Sequence, residues 1–296
     1  MMQQPNRTAL FVAGAVLLGI GVFTFLPELS EAWHDWSMEP DYSHGFLVAP
    51  IAAFLLWERR DKLVGMPISP SAWGFLPLAL SMLLRFLGIY FYREPLNHLA
   101  FGLWVFSVFW IVGGWQFVRW ALPGVVFLLF MFPFPWRLET SFSQPLQKVA
   151  TAASCWLLQL LGQPAFAMGN VITINGAHEY KLEVVQACSG LRMVVGFLAL
   201  CVAYAFLCRR PLWEKTLIVL SSFPIAIACN VLRITITGLL SQHFSEEAAH
   251  QFTHDFAGWM MMPVALLMLM GALWYMDRLF VESEMAESTI AARPRR

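Results

Sequence analysis

Apolar residues occur along this chain in long runs that are separated by short polar stretches. A helix needs about 17–25 consecutive, mainly apolar residues to cross the hydrocarbon core of a bilayer. The pattern therefore predicts about eight transmembrane helices, of which the second is long enough only if it begins near Tyr42. The predicted spans are Thr8–Leu26, Phe46–Trp57, Ala72–Tyr90, Leu99–Trp115, Trp120–Phe134, Gly190–Cys208, Leu212–Leu240 and Phe256–Met276.

Two segments have a different pattern. Within Gln144–Leu161 the apolar residues fall on one helical face, which predicts an amphipathic helix on the outer membrane surface. Farther along, Val171–Ile174 and Tyr180–Val184 are strand-like and flank the turn dipeptide Asn175-Gly176, which predicts a small external β-hairpin. The fold class predicted for the whole chain is an all-α polytopic membrane protein with these two additions.

The composition supports this class and excludes others. Hydrophobic residues make up 58% and charged residues 13% of the 296 residues, against roughly 45–50% and about 25% in soluble domains. So few charges cannot cover a soluble surface, which excludes a soluble enzyme, a disordered chain and a nucleic-acid binder. The five cysteines and seven histidines show no metal-ligand spacing, and no glycine-rich phosphate loop is present. The sequence therefore predicts no metal and no cofactor.

The distribution of charge predicts the orientation. Placing the N-terminus in the cytoplasm puts 12 of the 19 Lys and Arg residues inside, four outside and three arginines within spans. It also puts 12 of the 19 acidic residues outside, five of them in a loop that the pattern predicts between Glu28 and Asp41. Basic residues favour the cytoplasmic side, so this is the preferred topology. It requires that Gln144–Leu161 does not cross the membrane.

Three chemically active side chains come to a similar depth in this topology. Cys188 lies at the start of the sixth span, on the outer side. Arg233 lies about seven residues before the outer end of the seventh span, and His254 directly precedes the eighth. The sequence therefore predicts a thiol, a guanidinium and an imidazole close together at the outer face.

Such a set can perform acyl transfer through a thioester. A helix N-terminus and a nearby cation both favour the thiolate of Cys188, and an imidazole such as His254 can act as its acid or base. Arg233 could donate hydrogen bonds to the oxyanion of the tetrahedral intermediate. An arginine within hydrocarbon is costly and indicates a functional or paired group.

The same residues also have structural explanations. Cys188 could be a packing residue or form a disulfide with Cys155, and His254 could be solvated like His243 and His250. Two further arginines within spans, Arg85 and Arg192, could pair with loop carboxylates such as Glu183 or Asp255. A transporter would instead place charges along a path through the membrane, often with internal repeats. The in-span arginines all lie toward the outer side and no repeat is evident, so catalysis is favoured.

Several short motifs stand in order along the chain. They are Asp41–Val48, Gly169–Ile172, Ala187–Arg192, Asn230–Arg233 with Thr237-Gly238, and Phe252–His254 with Gly258-Trp259. Each motif is weak alone, but the ordered set resembles the exosortase/archaeosortase family over residues 40–280. A departure is Gln186, where members of that family often carry Glu.

The resemblance implies a membrane cysteine transpeptidase whose catalytic residues correspond to Cys188, Arg233 and His254. It implies substrates that are exported proteins ending in a Pro-Glu-Pro-like motif, a transmembrane helix and a basic tail, as in PEP-CTERM sorting signals. The acceptor is left open and could be an envelope lipid or polysaccharide component. Hydrolysis without transfer remains the alternative. The candidate substrate-binding residues are Ser189, Arg192, Asn230 and His44.

The resemblance implies the bacterial inner membrane as the location of the protein. The distribution of charge places the site on the periplasmic side and the N-terminus in the cytoplasm. Residues 1–280 are predicted to form one integral membrane domain. The polar residues 281–296 are predicted to form a disordered cytoplasmic tail.

Overall fold

The computed structural model describes residues 7–38, 42–133, 135–176, 179–184, 190–244 and 257–279. Helices in these ranges are α1 (Arg7–Thr24), α2 (Leu26–Met38), α3 (Gly45–Glu58), α4 (Phe75–Tyr90), α5 (Glu94–Phe127), α6 (Trp136–Leu160), α7 (Gly190–Leu207), α8 (Leu212–His243) and α9 (Ala257–Leu279). Short 3-10 helices span Arg60–Leu63, Ala72–Gly74 and Leu128–Met131. The strands are β1 (Ala165–Met168), β2 (Val171–Asn175) and β3 (Glu179–Glu183).

Within the described ranges, four helical segments are long and apolar enough to cross a membrane. They are Ala72–Tyr90, Glu94–Met131, Leu212–His243 and Met260–Arg278, and a fifth is added if the pair Val12–Thr24 and Leu26–Met38 forms one bent span. The number of eight spans is therefore not confirmed. The predicted span Phe46–Trp57 is a helix of only 14 residues, α3, which is about 21 Å long.

The helix α5 turns back on itself at Gly114, which has φ of 77°. The rings of Phe109 and Trp120 lie 6.3 Å apart, although eleven residues of straight helix would separate them by about 16 Å. Farther from the reversal, the rings of His98 in the first arm and Phe132, just after the second arm, stack with their centroids 4.3 Å apart. The two arms are therefore antiparallel, and they fall in the apolar ranges that the sequence predicts as separate segments.

Gly114 is required at this reversal, which gives a testable prediction. A Cβ at this position would collide with the carbonyl oxygen of Ser69, and φ of 77° is unfavourable for any L side chain. We expect Gly114→Ala to lower the free energy of unfolding by about 1–3 kcal/mol. The matched control is Gly271→Ala, where a Cβ would meet no atom within 4 Å and helix propensity predicts a gain of about 0.5–1 kcal/mol.

Thermal unfolding in detergent, followed by tryptophan fluorescence, measures both variants. A Gly114→Ala protein that unfolds no earlier than the wild type would contradict the reversal at this residue.

The acidic segment after α1 is helical, which corrects the prediction of a loop between Glu28 and Asp41. The 13 residues Leu26–Met38 form α2, whose axis is bent by 67° from that of α1. The carboxylate of Glu28 accepts a hydrogen bond from Arg85 of α4 at 2.7 Å, and both side chains are largely buried. Arg85 therefore pairs with Glu28 and not with Glu183, whereas the same suggestion for Arg192, and Asp255 itself, lie outside the described side chains.

The three strands form one antiparallel sheet in the order β1-β2-β3. The predicted hairpin is confirmed as β2 and β3, with Asn175 opposite Glu179, and β1 adds an unpredicted strand. The amphipathic segment Gln144–Leu161 is confirmed as helical and forms the second part of α6. The buried faces of sheet and helix share a small core with α8, made by Ala150, Cys155, Leu158, Ala165, Ile172, Ile174, Leu182, Val184 and Ile234.

Candidate functional site

Helices α7, α8 and α9 bring three chain segments to one end of the bundle. Only four residues connect α7 to α8, so the two helices are antiparallel neighbours. α7 has 18 residues, and the eighteenth residue of α8 is Cys229. Gly190, which begins α7, is therefore level with Cys229, and Arg233 is one turn, or about 6 Å, farther along α8.

The start of α9 lies toward the same end. The thiol of Cys229 is 3.8 Å from the sulfur of Met268 in α9. At the opposite end Arg210 donates to Asp277 of α9 at 2.7 Å and to Glu214 of α8 at 3.0 Å. α9 is therefore antiparallel to α8 and begins near the end that carries Arg233. We call this the Arg233 end, defined by residues 230–243 of α8 and the first turns of α7 and α9.

The sheet and α6 close one side of the Arg233 end. The hydroxyl of Ser154 in α6 donates to the carbonyl of Val231 at 3.3 Å. Val184, which directly follows β3, is fully buried in the core that contains Ile234. The chain that leaves β3 therefore starts in the core shared with Ile234 of α8 and reaches α7 at Gly190, six residues later.

Arg233 is buried, and no ion pair joins it to a carboxylate among the described residues. Its relative exposure is 6%, and its Nε has no hydrogen-bond partner among those residues. Arg85, by contrast, has the carboxylate of Glu28 at 2.7 Å. An N–H donor that is buried without an acceptor is costly. Among the described residues, nothing explains this charge as a structural ion pair.

Asn230 lies one turn before Arg233 and shares its environment. It is 6% exposed, and its Oδ1 is also buried without a partner among the described residues. One turn after Arg233, the hydroxyl of Thr237 donates to the Arg233 carbonyl at 3.0 Å. A buried polar face therefore runs along α8 at the Arg233 end. The Nε of Arg233 could donate a hydrogen bond to a peptide group, and the Oδ1 of Asn230 could accept one.

His44 lies deeper in the same bundle. It directly precedes α3, and its Nδ1 is 3.2 Å from the position that a Cβ of Gly196 would occupy in α7. The Cε of Met262 in α9 lies 3.4 Å from the same point. This contact is six residues, or about 9 Å, along α7 from Gly190.

Other predicted site residues fall outside the described part of the chain. Cys188 and Ser189 belong to residues 185–189, and His254 belongs to residues 245–256. The backbone of Arg192 lies in the first turn of α7, but its side chain is not described. Of the alternatives considered for Cys188, the disulfide fails because Cys155 is a free thiol; its Sγ donates to the carbonyl of Ala165 at 3.5 Å.

Sequence reasoning missed two residues that fix the chain before Cys188. Asn170 donates from its side chain to Oε1 of Gln147 at 3.0 Å, and its carbonyl accepts from the backbone N–H of Val184 at 2.9 Å. Asn170 stands in a short motif quoted above, whereas Gln147 was only one polar residue of an amphipathic helix. No sequence pattern indicates that the two side chains meet.

A family model, described as transmembrane exosortase, matches residues 36–271. The match covers most of the chain and includes both undescribed segments next to the Arg233 end. The chain belongs to this family. No curated protein and no solved structure matches this exosortase.

Exosortases are in general membrane cysteine transpeptidases. The apolar helices of this exosortase agree with a multi-pass membrane protein. The arrangement at the Arg233 end is suited to peptide chemistry, because a buried guanidinium can stabilise negative charge on a carbonyl oxygen.

Proposed function

We propose that this exosortase cleaves the C-terminal sorting signal of exported proteins through a thioester on Cys188 and passes the product to an acceptor. The observation that carries the proposal is the buried guanidinium of Arg233, which has no counter-charge among the described residues. The segments that contain Cys188 and His254 are connected directly to the helices of the Arg233 end.

Cys188 is the nucleophile in this mechanism. It is four residues from Val184, a stretch that reaches at most about 14 Å, and two residues from the start of α7. The N–H groups at a helix start carry partial positive charge, and a nearby guanidinium adds a full charge. Both lower the pKa of a thiol, so the thiolate is available near neutral pH.

The reaction has two steps. The thiolate of Cys188 attacks the scissile carbonyl, and the N–H donors of Arg233 stabilise the oxyanion. His254 gives a proton to the leaving amine, which departs with the helix and basic tail of the signal. His254, now neutral, then takes the proton of an acceptor nucleophile, which attacks the thioester carbonyl and releases the thiolate of Cys188. Arg233 is unsuited to donate the proton because it stays charged.

The membrane itself helps to position the substrate. A signal whose apolar helix is still in the bilayer presents its motif at a fixed depth next to the enzyme, and such positioning lowers the entropic cost of reaction. We propose that the Arg233 end faces the periplasm, in agreement with the distribution of basic residues.

Substitution of the thiol tests the proposal. The assay is a reporter that ends in a Pro-Glu-Pro motif, an apolar helix and a basic tail, reconstituted with the enzyme in proteoliposomes. We expect Cys188→Ala to abolish cleavage, because no other thiol can form the thioester. The matched control is Cys208→Ser at the far end of α7, whose thiol only donates to the carbonyl of Ala205 and whose loss should leave the rate within twofold of the wild type.

The mass of the released product separates transfer from hydrolysis. Transfer adds the mass of the acceptor to the processed protein, whereas hydrolysis adds only water. Normal cleavage by Cys188→Ala would overturn the thioester mechanism, and a hydrolysed product alone would limit the activity to that of a protease.

A further inference from the structure

Asn170 is a hydrogen-bonded link between α6 and the chain that leads to Cys188. Its side-chain Nδ2 donates to Oε1 of Gln147 at 3.0 Å. Its backbone carbonyl accepts from the N–H of Val184 at 2.9 Å. Val184 is the last residue described before the segment 185–189. Asn170 therefore contacts α6 through its side chain and Val184, the residue after β3, through its backbone.

The helix side of this link is itself fixed. The Nε2 of Gln147 donates to the hydroxyl of Ser143 at 2.9 Å, so both polar atoms of the amide are occupied. The backbone carbonyl of Gln147 also accepts from the hydroxyl of Thr151 at 2.8 Å. The amide of Gln147 is therefore held in one orientation, with Oε1 directed at Asn170.

Asn170 lies in the tight turn between β1 and β2. The pairing of Met168 with Val171 closes this turn, and Gly169 provides its positive φ of 60° at no steric cost. The hydrogen bond from Asn170 to Gln147 attaches the turn to α6, and the Asn170 carbonyl attaches it to Val184.

Val184 in turn is fixed in the core beside α8, and the chain toward Cys188 begins at this residue. Its side chain is fully buried in the core that includes Ile234, the neighbour of Arg233 on α8. A displacement of Val184 moves the start of the only chain that connects β3 to Cys188.

We propose that Gln147 and Asn170 are positioning residues that hold Val184, from which the chain runs to Cys188, and that this restraint favours the thiolate on which the proposed mechanism depends. The inference rests on the proposed function. It goes beyond that function by assigning the restraint to one hydrogen bond between α6 and the sheet. Neither residue touches the substrate in this scheme.

The test uses the full-length enzyme with Gln147→Leu, Asn170→Ala and the double variant. The matched control is Gln144→Leu, the same change one turn earlier at an exposed position of α6. Hydrogen exchange at the Val184 amide measures the link itself. Alkylation of Cys188 by iodoacetamide as a function of pH, followed by mass spectrometry of its peptide, measures the effect on the thiol.

Cys155 does not compete in this alkylation, because burial raises the pKa of its thiol. We expect each single variant to speed exchange at Val184 and to raise the alkylation midpoint of Cys188 by about one pH unit, which is about a tenfold loss of reactivity at pH values well below the midpoint. Because both variants break the same bond, the double variant should shift the midpoint no further than either one.

The outcomes separate the inference from the function on which it rests. Unchanged exchange at Val184, an equal shift in Gln144→Leu, or additive shifts in the double variant would each overturn the link. Faster exchange with an unchanged Cys188 midpoint would overturn its positioning role. A wild-type midpoint near that of an ordinary thiol, about 8.5, would instead contradict the proposed function. If Gln147→Leu fails to fold, Asn170→Ala alone tests the inference, because it removes the same hydrogen bond from the Asn170 side.

Discussion

Arg233→Met is expected to inactivate this exosortase while making it more stable. The guanidinium is 6% exposed and its Nε has no partner among the described residues, so its burial opposes folding. Replacing a whole buried ion pair by apolar groups of similar volume can stabilise a protein by about 1–4 kcal/mol, and we expect a gain of this order here. Loss of one oxyanion donor lowers kcat by about 100- to 1,000-fold. In the proposed mechanism the charge serves the reaction and not the fold, so the two effects should have opposite signs.

Two measurements on the same sample check this prediction. Thermal unfolding in detergent gives the change in stability, and cleavage of the reporter in proteoliposomes gives the rate. Arg233→Lys is the control for charge: it keeps the cation but loses the planar fork of donors, so we expect it to remain impaired. A destabilised Arg233→Met protein would show that the guanidinium has a structural partner, and full activity would remove Arg233 from the mechanism.

Arg85→Met is expected to have the opposite effect on stability. Arg85 donates to Glu28 at 2.7 Å, with side-chain exposures of 14% and 9%, and it also lies over the ring of Phe25 at 4.5 Å. Removing one partner leaves the other as a buried, uncompensated charge, which costs about 3–5 kcal/mol. Glu28 lies in the first turn of α2, so the pair attaches the start of α2 to α4.

A double variant and an exposed arginine complete the test. Glu28→Leu combined with Arg85→Met removes both charges, and we expect it to recover most of the lost stability. Arg60→Met is the matched control, since Arg60 is exposed and its guanidinium binds the carbonyl and lies over the ring of Trp57; its change should stay within about 0.5 kcal/mol. Equal destabilisation by the single and double variants would contradict the pairing.

The contrast between Arg85 and Arg233 shows which features of a buried charge can be predicted from the sequence and which cannot. Hydropathy alone places Arg85 and Arg233 within apolar runs, and both are costly there for the same reason. Only the folded chain reveals that α2 brings a carboxylate to one and not to the other. The sequence suggested Glu183 or Asp255 for Arg85 and interpreted the acidic stretch after α1 as a loop. Leu29, Ala32 and Trp36 instead give this stretch an apolar face that packs on the core, and this packing brings Glu28 to Arg85.

Local patterns predicted the local structures well. The alternation of Val171–Ile174 and the Asn175-Gly176 turn are properties of adjacent residues, and the hairpin formed where they indicated. The strand β1 was missed because Ala-Phe-Ala-Met has little β-propensity. It forms because its backbone pairs with the free edge of β2. The family followed from ordered motifs, whereas the bond between Gln147 and Asn170 joins residues 23 positions apart through tertiary packing alone.

The most direct test of the central claim is to trap the thioester on Cys188. The reporter is mixed with the wild-type enzyme in proteoliposomes without added acceptor, the reaction is stopped in acid, and the Cys188 peptide is analysed by mass spectrometry. We predict a peptide that carries the acyl group of the reporter and loses it on treatment with hydroxylamine. Cleavage of the reporter with no adduct on Cys188, or an adduct that also forms in Cys188→Ala, would contradict the account.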